Sequence, residues 1–92
     1  MVRTWGAIQA KKLQQRLDDL KAAPVLDAMH GLPGRCHELS HDRAGQLSLD
    51  LEHPNRLIFE PANDPIPRKP DGGLEWKGIT AVRIIGVVDY HD

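Results

Sequence analysis

QLSLDLEHPNRLIFE, residues 46 to 60, alternates Leu47, Leu49 and Leu51 with Ser48 and Asp50, breaks at Pro54 and Asn55, and resumes as Arg-Leu-Ile-Phe-Glu. Successive strand side chains point to opposite faces, so this period of two predicts a strand over 46–51 with one covered face. Pro54 and Asn55 supply the turn and Arg56–Glu60 the next strand. Upstream, Trp5, Ile8, Leu13, Leu17 and Leu20 fall at helical spacings, with Lys11, Lys12, Gln15, Asp18 and Asp19 on the wet side, so 5–23 reads as one amphipathic helix. Pro24 can open a short helical turn over 25–30, which Gly31, Pro33 and Gly34 close. A short strand is expected at His37–Leu39. Downstream, TAVRIIGVVD (80–89) is the longest and most β-branched run, and is expected to be a central strand.

Residues 61–78 hold four of the chain's seven prolines and three of its eight glycines, so they cannot form one regular element and are read as a long hairpin loop. The sum is an α+β domain, with an N-terminal helix or helices packed on one face of a curved, mainly antiparallel sheet. Ninety-two residues, 40% of them hydrophobic, suffice for a single domain over 1–92 and leave no room for a second core. The lone Cys36 cannot form an internal disulfide, and no apolar run approaches the roughly 18 residues of a membrane span. MVRTWGAIQAKK lacks an uninterrupted apolar stretch, which argues against a signal peptide. A cytoplasmic location, with no membrane partner, is the expectation. Twelve Lys and Arg against thirteen Asp and Glu give a net charge of −1. Any nucleic-acid binding must therefore come from a local patch.

The last residues, VVDYHD (87–92), place an acid, a phenol and an imidazole side by side at the end of an apolar strand. These are groups that move protons, where edges and termini usually carry Lys, Pro or disorder. Taken with LPGRCHEL (32–39), HDRAGQLSLDL (41–51) and PNRLIFEP (54–61), this ending resembles the HigB-like branch of the RelE/ParE toxins, the plasmid-maintenance killer proteins. The pieces occur in the family's order and cover about two-thirds of the chain. Two departures stand out. Many relatives carry a lysine and then a glycine where this chain has Ser40 and His41, and relatives commonly have an edge strand and a short helix before the long helix, so the chain reads as a compact variant or one shortened at its N-terminus.

The resemblance implies the toxin of a type II toxin-antitoxin system, a ribosome-dependent endoribonuclease (mRNA interferase) that cuts translated mRNA. Its implied partners are the ribosome with its mRNA and a HigA-like helix-turn-helix antitoxin, with operator DNA reached only through that antitoxin. Metal-independent RNA cleavage needs a base for the 2′-OH, donors for the phosphate and an acid for the leaving 5′-oxygen. His91, Asp89 and Arg56 are the catalytic candidates: imidazole as acid or base, carboxylate as its orienting partner or base, guanidinium as a fork on the phosphate. Tyr90, His37 and Arg43 are the substrate-binding candidates.

Each candidate also has a plain structural reading. His91 lies near the terminus and could be solvated; Arg56 could pair with Asp50 or Glu60 across the hairpin; His37 could be a buried, hydrogen-bonded histidine; Arg43 could cap its turn or meet Asp42. Cys36, His37 and His41 lack the paired spacing of a zinc site, and neither a metal nor a cofactor is expected. Arg68, Lys69 and Lys77 form the basic cluster of the long loop, and Trp76 must either fold back onto the domain or meet a partner. The competing functions are a toxin of the same fold that acts by binding DNA gyrase, and a non-catalytic relative that only binds its antitoxin.

Overall fold

The computed structural model describes residues 6–89. The fold is α+β: one long helix, α1 (Gly6–Ala22), and one antiparallel sheet of β1 (His37–Glu38), β2 (Leu47–Asp50), β3 (Asn55–Pro61) and β4 (Val82–Asp89), paired in chain order. The hairpin of 46–60 forms as its alternation requires. Leu47 faces Phe59 and Leu49 faces Leu57 across the β2–β3 ladder, and all four are at most 1% exposed. Between the strands, the Asn55 amide donates to the Glu52 carbonyl and the Leu51 amide to the Asn55 carbonyl, which closes the turn.

The helix lies where its spacing puts it, but its buried face is not the expected one. Ile8 is 66% exposed, whereas Gln9 and Arg16 are buried. Gln9, Leu13, Arg16 and Leu20 recur at i, i+4, i+7 and i+11, which is one face of a 3.6-residue helix. Their polar members meet backbone that needs partners. The Gln9 side chain accepts from the Glu52 amide at 2.9 Å and donates to its carbonyl at 3.5 Å, while Arg16 Nε donates to the Asp50 carbonyl at 3.1 Å. Leu13, Leu17 and Leu20 pack partly buried against the core. Trp5, the expected first member of the stripe, lies outside the described residues.

The expected short turn is a 3-10 helix, Leu26–Gly31, that buries Leu26 and Met29. The 61–78 loop is also structured. It carries an Arg68–Leu74 bridge and a 3-10 helix, Trp76–Gly78, and it returns Leu74, Trp76 and Ile79 to the same core as the hairpin leucines. The Trp76 indole stacks on His30 at 4.3 Å and donates from Nε1 to Glu38 Oε2 at 2.8 Å, so the aromatic folds back onto the domain. The stem of the loop is held by Asn63, whose Oδ1 accepts from the Thr80 and Ala81 amides.

Two strand expectations are corrected. β4 is not central: among the described residues it pairs with β3 alone, and Ile84 and Ile85 are each 44% exposed. A β-branched run with no charged alternation reads as a doubly covered strand, yet here a register shift opposite Ile58 and Phe59 breaks the ladder and leaves both isoleucines at the edge. Ser48, read as a solvent-facing position, is fully buried, with a hydroxyl that has no hydrogen-bond partner among the described residues.

Candidate functional site

The pleat sorts the candidate residues. His37 is in register with Ser48, and Asp50 with Arg56. Ser48 and Asp50 are two apart on β2, so His37, Ser48, Asp50 and Arg56 share the face opposite Leu47 and Leu49. That face also carries Ile58, opposite Ser48, and both are fully buried, so it is polar at its Asp50–Arg56 end and covered at Ser48.

At its centre the Asp50 carboxylate is held by two guanidiniums. Arg35 Nε donates to Oδ2 at 2.7 Å and Arg35 Nη2 to Oδ1 at 3.5 Å, while Arg56 Nε lies 3.3 Å from Oδ1. The Arg35 side chain is 64% exposed and that of Arg56 14%, so Arg35 is the accessible arm of the pair. Arg35 reaches Asp50 through an unusual backbone: Gly34 sits at φ +112 and Arg35 at φ +48, and the Gly34 carbonyl accepts from the Asp50 amide at 2.7 Å. Beside the trio is a cleft of about 150 Å³ lined by Arg35, Asp50, His53, Asn55 and Arg56.

His37 Nδ1 lies 2.7 Å from the Arg35 carbonyl. A carbonyl oxygen can only accept, so Nδ1 carries the proton and the neutral ring keeps its lone pair on Nε2. The bond orients the ring so that Nε2 is its other nitrogen, on the same face as the arginines. Arg43 has a local role: Nη1 donates to Gln46 Oε1 at 3.0 Å, bracing the loop that follows the 3-10 helix His41–Arg43. His41 itself sits at φ +57, a left-handed conformation that favours glycine. Glu60, a possible partner for Arg56, instead pairs with Arg83 at 2.6 Å.

Asp89 is in register with Asn55, and Val88 with Arg56, so Asp89 and Arg56 occupy opposite pleat faces. The expected grouping of these two residues is not made by the described strand. Tyr90 and His91 lie outside the described residues. Cys36 is half-buried, and loss of hydration pushes its thiol up to about 12, which makes it a poor nucleophile or metal ligand. Among the described residues, no group of three or more His, Cys, Asp or Glu is placed to hold a metal ion, and no helix is long and apolar enough to cross a membrane.

Arg35, His53 and Asn55 enter the site without having been singled out as binding residues. Pro33-Gly34 marks a turn before Arg35, but not the direction in which its side chain leaves that turn. Comparison of the chain with protein-family models, with curated proteins and with solved structures finds no match.

Proposed function

We propose that this chain is the toxin of a type II toxin-antitoxin pair, an endoribonuclease that cleaves translated mRNA by metal-independent acid–base chemistry in the cytoplasm. The observation that carries the reading is the shared face of His37, Arg35 and Arg56, with the imidazole held so that Nε2 is the basic nitrogen. In that chemistry, a ribose 2′-OH gives its proton to an imidazole as the oxygen attacks phosphorus, and guanidinium N–H groups take the charge that builds on the phosphate oxygens. A second acid protonates the departing 5′-oxygen; the resemblance assigns an acid–base role to His91, with Tyr90 beside it. The α+β fold and the left-handed backbone of His41, where many relatives carry glycine, support the same reading. A HigA-like antitoxin would cover this face, and the ribosome would present the message to it.

The test is to induce the wild type, His37→Gln, Arg56→Ala and His91→Ala separately and to map the 5′ ends of one translated message. The expected outcome is cuts phased with codons in the wild type and a large loss in all three variants. Growth arrest with an intact message would refute nuclease action.

One observation favours a second reading, a toxin or relative that acts only by binding. Asp89 faces away from Arg56, and the carboxylate that does share the arginine face, Asp50, is engaged by both guanidiniums. Under that reading His37→Gln and His91→Ala keep their effect on growth, and gyrase supercoiling or antitoxin capture replaces message cleavage as the measurable activity.

A further inference from the structure

We infer that the groove between the 61–68 segment and the start of β4 is a docking site for an extended peptide of a partner protein, one that carries an acidic and a basic side chain on either side of an apolar one. The inference goes beyond the nuclease reading and does not depend on it, since this groove and the cleft beside Asp50 share no lining residue.

The groove holds about 540 Å³ and is lined by Asp64, Pro65, Ile66 and Arg68 together with Pro61 and Arg83. Asp64, Ile66 and Arg68 are all exposed, so an acid, a hydrocarbon and a cation follow one another along its wall. Arg83 is matched by Glu60 at 2.6 Å. The other two charges are not used in this way. Among the described residues Asp64 and Arg68 form no ion pair, with each other or with a third group, and the Arg68 side chain donates once, from Nη1 to the Gly72 carbonyl at 3.1 Å. That bond fixes the guanidinium and leaves its remaining donors to a ligand.

The wall is rigid before any ligand arrives. Pro65 and Pro67 fix their own φ, Asn63 Nδ2 donates to Thr80 Oγ1 at 3.0 Å, and Asn63 Oδ1 accepts from the Thr80 and Ala81 amides. Further along, the Pro67 carbonyl accepts from the Glu75 amide at 3.0 Å. Little ordering is left for binding to impose.

The charge pattern selects the occupant. RNA would bring phosphate to Asp64 as well as to Arg68, and none of the lining residues is aromatic, so neither its backbone nor its bases are well received. A second copy of the chain would set one hollow against another and fill neither. An extended peptide fills a hollow: Asp64 to Arg68 spans at most about 14 Å, the reach of roughly four peptide residues. Opposite charges then meet at both ends, and the apolar side chain rests on Pro65 and Ile66. Because Pro65 and Pro67 have no amide hydrogen, side chains make the contact rather than an added strand.

The experiment titrates blocked pentapeptides into the isotope-labelled whole chain, to millimolar concentration, and follows the Ile66 and Arg68 amide resonances. The probes are Glu-Thr-Leu-Thr-Lys, its neutral analogue Gln-Thr-Leu-Thr-Gln, the all-acidic Glu-Thr-Leu-Thr-Glu, and oligouridylate as the RNA. An exposed ion pair alters affinity about two- to fivefold. The mixed-charge peptide should therefore bind the wild type about two- to fivefold tighter than its neutral analogue, and the all-acidic one no tighter than neutral. Asp64→Lys should make the all-acidic peptide the tightest, and Ile66→Glu should abolish binding of the mixed-charge peptide. Equal binding of the three peptides, an unchanged order in Asp64→Lys, or no peptide bound overturns the inference. Oligouridylate that shifts these resonances more tightly than every peptide also overturns it, in favour of a nucleic-acid site. If Ile66→Glu does not fold, the order of the peptides on Asp64→Lys decides alone.

Discussion

Gly34→Ala tests how the helix, the hairpin and the arginine cleft are joined. A Cβ at this position would lie 2.8 Å from Arg16 Nε, 3.1 Å from Arg16 Cδ and 3.0 Å from Leu49 Cδ2, on a backbone at φ +112. The backbone conformation alone costs an L-residue about 1 to 3 kcal/mol. Arg16 is no free surface chain that could step aside, since it is buried and donates to the Asp50 carbonyl. Displacing that charged donor forfeits a further ~1.5 to 3 kcal/mol. The total is about 2.5 to 6 kcal/mol, and at roughly 4 to 8 °C per kcal/mol the melting temperature should fall by at least about 10 °C. Gly72→Ala is the control: its φ is +95, but nothing lies within 4 Å of the added Cβ, so it reads the backbone cost alone. Thermal and urea unfolding of both variants, with Arg16→Ala added to Gly34→Ala, separates the parts; the double variant should lose less than the sum of the singles. A Gly34→Ala protein that melts no lower than Gly72→Ala would refute the contact between Gly34 and Arg16, and with it the account of how Asp50 is anchored.

Trp76→Phe should cost about 1 to 2 kcal/mol through the lost hydrogen bond to Glu38, and Trp76→Ala about 3 to 5 kcal/mol, both measured by urea unfolding. Asn63→Ala removes the acceptor of the Thr80 and Ala81 amides, so hydrogen exchange at those two amides should accelerate while the β2–β3 amides keep their protection. Burial raises the Cys36 thiol to about 12, above its ordinary value near 9.0, so the folded protein holds a proton that the unfolded chain releases between those values. Stability should therefore be unaffected by this group below about pH 9 and fall as pH rises toward 12; Cys36→Ala should flatten that decline, and alkylation of the native thiol at pH 8 should be slow. Under the proposed nuclease function, Arg56→Lys keeps a cation but loses the fork, so any message cleavage measured for the wild type should drop by about tenfold or more while expression persists.

The parts of the fold that could be read were those whose pattern had one cause. The leucine alternation of 46–51 and the Pro-Asn break identified the hairpin because only the pleat produces a period of two. The helix was legible in extent and not in orientation. Gln9 and Arg16 are buried for the sake of the Glu52 and Asp50 backbone, and a hydrophobic count gives such residues no weight. β4 looked central because its apolar residues hide which face is covered, and its break in register is invisible in composition. Of the site, the Asp50–Arg56 pairing was readable across the hairpin and His37 as a strand residue. Arg35 was not, because its direction depends on two consecutive positive-φ residues. The opposite facing of Asp89 and Arg56 needed the β3–β4 register, which no local motif encodes.

Asp50 also has a consequence for how the strands find one another. If β2 slid by a single residue along β3 so that Asp50 came to lie against Leu57, its carboxylate would be pressed into the leucine layer, while Leu51 would meet Arg56. Both groups would then be stranded, an ion among hydrocarbon and a hydrocarbon among ions. The misaligned hairpin thus rejects itself, and this one acidic side chain proofreads the pairing on which every other residue of the sheet relies.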